Sequence, residues 1–303
     1  MKRVNILPII TAALSSLLVL SACSQKEEIV VDETYTLEIV AVKGSADQTR
    51  ALVLDEDFLG APWKAGETVS VFFFDPSAQS AGEVYKKVGS LEAQSDGYTT
   101  TLKGKLNGTY EVGDRLMFSY QHDLLFDYRG QTGLLDDIAD NYDYAVASGQ
   151  VSSVSSGTIT VSSGMPGSSG LYFSSMQAIF KFNLKDSEGT PLEASKVVIR
   201  SYIASTENTS DQDFLIEYFN PTQMGVYQGD SGRPGPVEVN LSTASSVVYV
   251  ALSGVGTNGP MNGLSGRPIE ITATVGDDTY TYTSDSFSFE LNKYYVYDVV
   301  MKK

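Results

Sequence analysis

The chain has 303 residues, 42% of them hydrophobic and 19% charged, with 37 acids against 21 bases, one cysteine and one histidine. A net charge of −16 argues against nucleic acid as a partner, because phosphate binding draws on a surplus of Lys and Arg. One cysteine excludes an intrachain disulfide and a Cys-rich zinc site, and a lone His122 excludes a His-rich metal centre.

Lys2 and Arg3 precede an apolar run from Ile6 to Leu20. At about fifteen residues the run is too short to span a bilayer as a helix, and it fits the apolar region of a secretory signal. Leu20-Ser21-Ala22-Cys23 follows at once and resembles the bacterial lipobox. That resemblance implies cleavage before Cys23 and a lipid on its thiol, palmitate among the acyl chains. Several chains at ~0.8 kcal/mol per buried CH₂ would hold the protein on a membrane. Residues 1–22 are therefore expected to be a signal peptide and 23–33 a lipid-anchored tether. Ser24-Gln25-Lys26-Glu27-Glu28 is similar to the tether that sends some Bacteroidetes lipoproteins to the outer face of the outer membrane. The expected location is the outer membrane at the cell surface.

After the tether the sequence reads as strand after strand. Tyr35, Leu37, Ile39 and Ala41 fall on one face of a run ending at Val42, with Thr34, Thr36, Glu38 and Val40 on the other. Val69, Val71 and Phe73 form a second such face, although Phe72 and Phe74 make its reverse apolar too. Further strands are expected at 99–106, 115–120, 157–161, 178–184, 196–203, 237–241, 246–252, 269–275, 279–283 and 293–301. They are separated by turn-forming clusters such as Asn107-Gly108 and Gly232-Arg233-Pro234-Gly235-Pro236. One stretch, Gln131–Asn141, has helical spacing, with Leu134, Leu135 and Ile138 on one face and Asp136, Asp137 and Asp140 opposite. It is expected to plug a sandwich edge. The serine- and glycine-rich segment Ser148–Gly170 keeps Val151, Val154, Ile159 and Val161, and so reads as edge strands and turns. The apolar run Gln177–Leu184 restarts a core. A boundary near residue 172 divides the chain into domains 34–172 and 173–303, both of ordinary domain size.

Several stretches resemble one family. Trp63-Lys64-Ala65-Gly66-Glu67-Thr68-Val69-Ser70-Val71-Phe72 is similar to the Trp-x-x-Gly-Asp segment of fimbrillin-like lipoproteins of the Bacteroidetes, with Glu67 in place of Asp. Phe118-Ser119-Tyr120, Gly130-Gln131-Thr132-Gly133 and Asp143-Tyr144-Ala145-Val146-Ala147 resemble, in order, its central Tyr-containing strand, Gln-x-Gly turn and Asp-Tyr-x-x-Ala segment. Met176–Leu184 resembles the first strand of its second domain. Leu291–Val299 resembles its closing strand, with Asn292 where Gly is common.

The resemblance implies an all-β chain of two tandem transthyretin-like β-sandwich domains, following a lipoprotein signal peptide. It further implies fimbrial assembly by strand exchange. An arginine-specific protease removes the first strand, and a strand from the next subunit fills the vacated groove by β-augmentation. In this sequence Arg50 and Ala51 stand where such a cut would fall. The C-terminal run, with Tyr295, Tyr297, Val299 and Met301, would suit a donor strand, and equally a central strand of its own domain.

Other constellations weigh less. Asp136, Asp137, Asp140 and Asp143 lack the Asp-x-Asp-x-Asp-Gly order of an EF-hand, and a solvated helix face accounts for them better than a metal. His122 beside Asp123 has no Gly-x-Ser-x-Gly elbow to serve. No cofactor and no metal is expected. The expected function is therefore a non-enzymatic, surface-exposed fimbrillin-like lipoprotein, a structural or accessory subunit of fimbriae with a role in adhesion. Its partners would be other fimbrial subunits, membrane lipid through acylated Cys23, and a host or bacterial surface receptor. The alternatives are a monomeric outer-membrane glycan-binding lipoprotein and a secreted β-sandwich hydrolase.

Overall fold

The computed structural model of the chain describes residues 33–43, 62–75, 85–121, 123–163, 170–203, 212–220, 232–256 and 259–303. Among them every regular element but one is a strand, as the alternating sequence predicts.

The first group comprises β1 (Thr34–Lys43), β2 (Thr68–Phe74), β3 (Tyr85–Ala93), β4 (Thr99–Asn107) and β5 (Arg115–Tyr120). The short β6 (Phe126–Asp127) and the helix α1 (Leu135–Asn141) follow, then β7 (Ala145–Ser155), β8 (Thr158–Ser163) and β9 (Leu171–Ser175). Hydrogen bonding runs in the order β4-β3-β2-β5-β7-β8-β1, and β1 pairs back onto β4, so the sheet closes into a barrel. β8 and β9 share the place between β7 and β1. β8 meets β1 at Thr36, and β9 runs parallel to it over Ala41–Lys43. Closure leaves no free edge in this ring.

β1 shows why the ring holds. Its inward side chains Tyr35, Leu37, Ile39, Ala41 and Lys43 are at most 6% exposed. Tyr35, Leu37, Ile39 and Ala41 pack with Trp63, Val69, Leu102 and Phe118 in one core. Opposite Leu37 on β4 stands Gly104, where an added Cβ would lie 2.2 Å from the Ser90 carbonyl oxygen. Only glycine lets β3 and β4 approach so closely there.

β2 is apolar on both faces because both are covered. A register shift follows Val71. Val69 and Val71 enter the barrel, while Phe72 belongs to a separate buried cluster outside it.

The second group begins with β10 (Ala178–Lys185), β11 (Ala194–Arg200), β12 (Tyr202–Ile203), β13 (Gln212–Asp213), β14 (Ile216–Phe219) and β15 (Gly232–Pro234). It continues with β16 (Val237–Ser245), β17 (Val247–Leu252), β18 (Gly254–Gly256), β19 (Gly259–Asn262), β20 (Leu264–Val275), β21 (Asp278–Phe289) and β22 (Tyr294–Val300). A three-stranded sheet β17-β10-β22 and a four-stranded sheet β16-β11-β20-β21 share a core built on Phe180, Phe182, Val197, Ile199, Val250 and Ile271.

A third cluster joins the two groups. Phe72, Leu124, Phe126, Tyr128, Ile138 and Tyr144 pack with Ile179, Ile216, Phe219, Ala251 and Tyr294. Main-chain bonds reinforce it, since β6 pairs antiparallel with β14.

Three expectations are corrected. The serine-rich segment supplies no edges: β7 and β8 form a hairpin within the barrel wall, with β7 paired on both sides. Of the expected helix face only Ile138 is buried, and Leu134 is 56% exposed. The strand expected over 196–203 breaks at Ser201, whose buried hydroxyl donates to the Pro268 carbonyl at 2.7 Å.

Candidate assembly site: the N-terminal wall strand and the C-terminal edge strand

β1 ends on a buried charge. Trp63 is clamped to Gly97 by two main-chain hydrogen bonds of 2.8 and 3.0 Å, and the chain then turns through Gly66 at φ +90°. Such a backbone angle favours glycine. The turn returns Glu67 to the end of β1. One carboxylate oxygen of Glu67 accepts the Lys43 ammonium and the Lys64 N–H, both at 3.0 Å, and the other accepts the Tyr120 hydroxyl at 2.6 Å. The Lys43 Nζ also lies 3.2 Å from the ring centroid of Tyr120 and 4.1 Å from that of Trp63. The Lys43 side chain is fully buried and that of Glu67 is 22% exposed. Burial, followed by the bond to Glu67, raises the Tyr120 phenol well above its ordinary value. The Trp-x-x-Gly-Glu stretch thus forms a socket for the cation at the end of β1. The ring faces solvate the ammonium where water is absent.

At the other end of the chain, β22 runs parallel to β10 from Ile179↔Tyr294 to Lys185↔Val300. It stands at the edge of its three-stranded sheet, so the central-strand alternative does not describe it. The run enters β22 through Asn292 at φ 64°, a left-handed position that suits Asn nearly as well as Gly. Tyr295 stacks on Phe180 with centroids 4.9 Å apart, and Tyr297 lies 5.6 Å from Phe287. Val299 and Met301 are buried, whereas Tyr297 is 36% exposed. Val296 and Val300 face outward, and Asp298 on that face accepts Asn183 at 2.9 Å and Lys185 at 2.8 Å. Two main-chain bonds between Thr281 and Lys302 fasten the tail to β21, and the Lys303 ammonium reaches Asp278 at 2.5 Å.

The structure therefore places Tyr295, Tyr297 and Val299 on β22 and Met301 just past its end. Cys23, Arg50, Ala51 and His122 lie outside the described residues. Asp123 is held by Ser70 at 2.5 Å and Lys87 at 2.7 Å. Asp137 accepts the Thr132 N–H and hydroxyl and the Asn141 amide, which ties down the start of α1. Among the described residues no three His, Cys, Asp or Glu side chains gather where they could hold a metal ion.

The remaining motif stretches are structural joints. Gln131 is fully buried: its Nε2 donates to the Tyr128 and Ala251 carbonyls at 2.9 Å, and its Oε1 accepts the Ala251 N–H at 2.7 Å. The Tyr144 hydroxyl donates to the Asp127 carbonyl at 2.8 Å, and Tyr128 and Tyr142 likewise reach Met176 and Arg129 carbonyls. Sequence reasoning missed the roles of Lys43 and Gln131. The one available signal for Lys43 was its position, two residues beyond Ala41 on the inward face of β1.

No family model matches the chain, and no curated protein matches it. Among solved structures, the chain is similar to a candidate cell adhesion protein of Bacteroides uniformis, at 14% identity and a TM-score of 0.43, covering 88% of this chain and 96% of that one. It is also similar to a tip fimbrial protein of Porphyromonas gingivalis with a truncated C terminus, at 12% identity and a TM-score of 0.36, covering 89% and 96%. A fimbrilin of Porphyromonas gingivalis shows 11% identity and a TM-score of 0.35, covering 90% and 92%.

Proposed function

We propose that the chain is a surface lipoprotein of the fimbrillin type, a non-enzymatic structural or accessory subunit of fimbriae that assembles by β-strand exchange and serves adhesion. In this reading residues 34–172 and 173–303 are two transthyretin-like sandwich domains, the first with its sheet closed and completed by the end of β9 at Ser175, and Cys23 carries the lipid that holds the precursor on the outer membrane. The supporting observation is the place of β1. It is the first described strand and the one that closes the barrel onto β4, through nine paired residues. Arg50 is the only arginine between β1 and β2 in the sequence. A cut there would sever β1 together with the lipid, and leave β4 and β9 facing an empty apolar slot. The slot favours refilling by another strand, since main-chain ladder bonds and buried side chains are both recovered. Other fimbrial subunits are the partners that this chemistry fits, with a surface receptor engaged by the assembled fibre.

The test is the mature N-terminus, determined by mass spectrometry on native outer-membrane and shed-fibre fractions. A start at Ala51 without lipid in the fibres is the expected result. A start at acylated Cys23 in every fraction would remove the polymerising role and favour an anchor or a monomeric glycan-binding lipoprotein.

A further inference from the structure

The inward face of β1 reads Tyr35, Leu37, Ile39, Ala41, Lys43, and the last nine residues repeat that order at the same spacing: Tyr295, Tyr297, Val299, Met301, Lys303. Both series open on a tyrosine, continue through three apolar residues and end on a lysine. In the first series the terminal lysine enters the socket of Glu67, Trp63 and Tyr120. In the second the terminal lysine lies at the surface on Asp278, with its side chain 63% exposed. An exposed pair of this kind contributes little and is readily exchanged.

The socket belongs to the barrel and not to β1. Glu67 is fixed from its own side by the Lys64 N–H and the Tyr120 hydroxyl, and Trp63 by its clamp on Gly97. Withdrawal of β1 would therefore leave a carboxylate and two ring faces still arranged for a cation. A strand filling the slot without a cation at that position would leave that partly buried carboxylate without a charge partner, which is unfavourable.

We infer, on the strand-exchange reading above, that Glu67 selects the incoming strand. The C-terminal strand of a second copy enters the slot in the register of β1, and Lys303 takes the place of Lys43 between Trp63 and Tyr120. The two series differ in volume, since Tyr297 replaces Leu37 and Met301 replaces Ala41 at fully buried positions. Such overpacking is unfavourable. β1 therefore keeps the slot for as long as it is covalently attached, and the charge match, common to both strands, sets the register once it is gone.

The experiment uses the full chain, cut by an arginine-specific protease, confirmed to start at Ala51, and followed by the growth of detergent-resistant ladders. Variants K303Q and E67Q are each expected to slow ladder growth about tenfold or more, the effect of leaving one member of a buried pair alone. The double variant E67Q/K303Q should lose less than the product of the two. K302Q, one residue away on the opposite face of the strand, should polymerise like the wild type. K303Q alters only an exposed side chain, so its effect does not depend on folding. Ladders that grow at the wild-type rate in K303Q would overturn the selection by Glu67 while leaving strand exchange intact. Failure of the cleaved wild-type chain to form ladders would overturn strand exchange itself, and the pairing in trans with it.

Discussion

Gln131 and Ala251, 120 residues apart, are joined as though they were two rungs of one ladder: the side-chain carboxamide of one exchanges both hydrogen bonds with the peptide groups of the other. A side chain thereby continues the edge of β17 into the barrel group. The main chain on either side adds bonds from Asn240 to the Gln131 carbonyl and from Tyr249 to the Gly133 carbonyl, both at 3.0 Å. Gln131 is fully buried, so a group that loses its partner there is left away from bulk solvent.

Replacing Gln131 with Ala should therefore cost about 3 kcal/mol, since it strands a buried N–H and leaves carbonyls less well paired. Urea unfolding of Q131A against the wild type measures it. A loss below about 0.5 kcal/mol, the range of ordinary surface changes, would mean that the joint is held by its apolar cluster alone.

The pair of Lys43 and Glu67 predicts non-additivity. K43M should destabilise the full chain by about 3 kcal/mol, because Glu67 is left inward-facing without its cation. K43M/E67Q should recover part of that loss, as the charge is removed while the carboxamide oxygen still accepts the Lys64 N–H and the carboxamide NH2 donates to the Tyr120 oxygen. Strictly additive losses in denaturant unfolding would show that the two groups act separately.

On the acid side, the contacts from Lys185 and then Asn183 hold the Asp298 carboxyl below its ordinary value. A folded-state value lower than the unfolded one means that the unfolded chain takes up the proton first. The contribution of Asp298 is thus present above the ordinary carboxylate range near ~3.9 and is lost as pH falls through the folded value. The stability difference between wild type and D298N should narrow below about pH 4. A difference that is flat from neutral pH to pH 2 would separate Asp298 from the docking of β22.

Buried tyrosines such as Tyr142 and Tyr294 contribute to the alkaline limit. Burial raises Tyr142 and Tyr294 to about 12. In the unfolded chain they ionise near ~10, so the unfolded state releases protons first and stability falls as pH rises from about 10 to about 12. Phenolate absorbance should rise in two stages, the second coincident with loss of the fold, and Y142F should move that second stage upward. Complete ionisation near pH 10 with the fold intact would refute this.

The strand content and the inward face of β1 were legible because alternation is local: Tyr35, Leu37, Ile39 and Ala41 declare their side of the sheet without reference to any partner. The apolar Ile138 was legible from a local pattern too, its helical spacing. Closure was not, since nothing in β1 or β4 announces that Leu37 will face Gly104 or that β1 completes a ring. The serine-rich β7 read as an edge because small polar residues often mark one, yet here they point outward from a wall paired on both sides. Lys43 fell outside the run, which read as ending at Val42, because its partner Glu67 lies 24 residues on, across a turn that only the fold brings back.

The antiparallel contact of β1 with β4 also has a mechanical meaning. A pull along the axis of a strand held through nine consecutive residue pairs loads every pair at once, whereas a pull across that axis opens them one after another from whichever end yields first. At one of those ends stands Lys43 in its socket, so peeling from that side must begin by drawing a buried charge away from its carboxylate and ring faces. A strand lying in this slot is built to carry tension along its own axis, and its weaker end is the one at Thr34, where an exposed hydroxyl on Asn107 is the last side-chain contact.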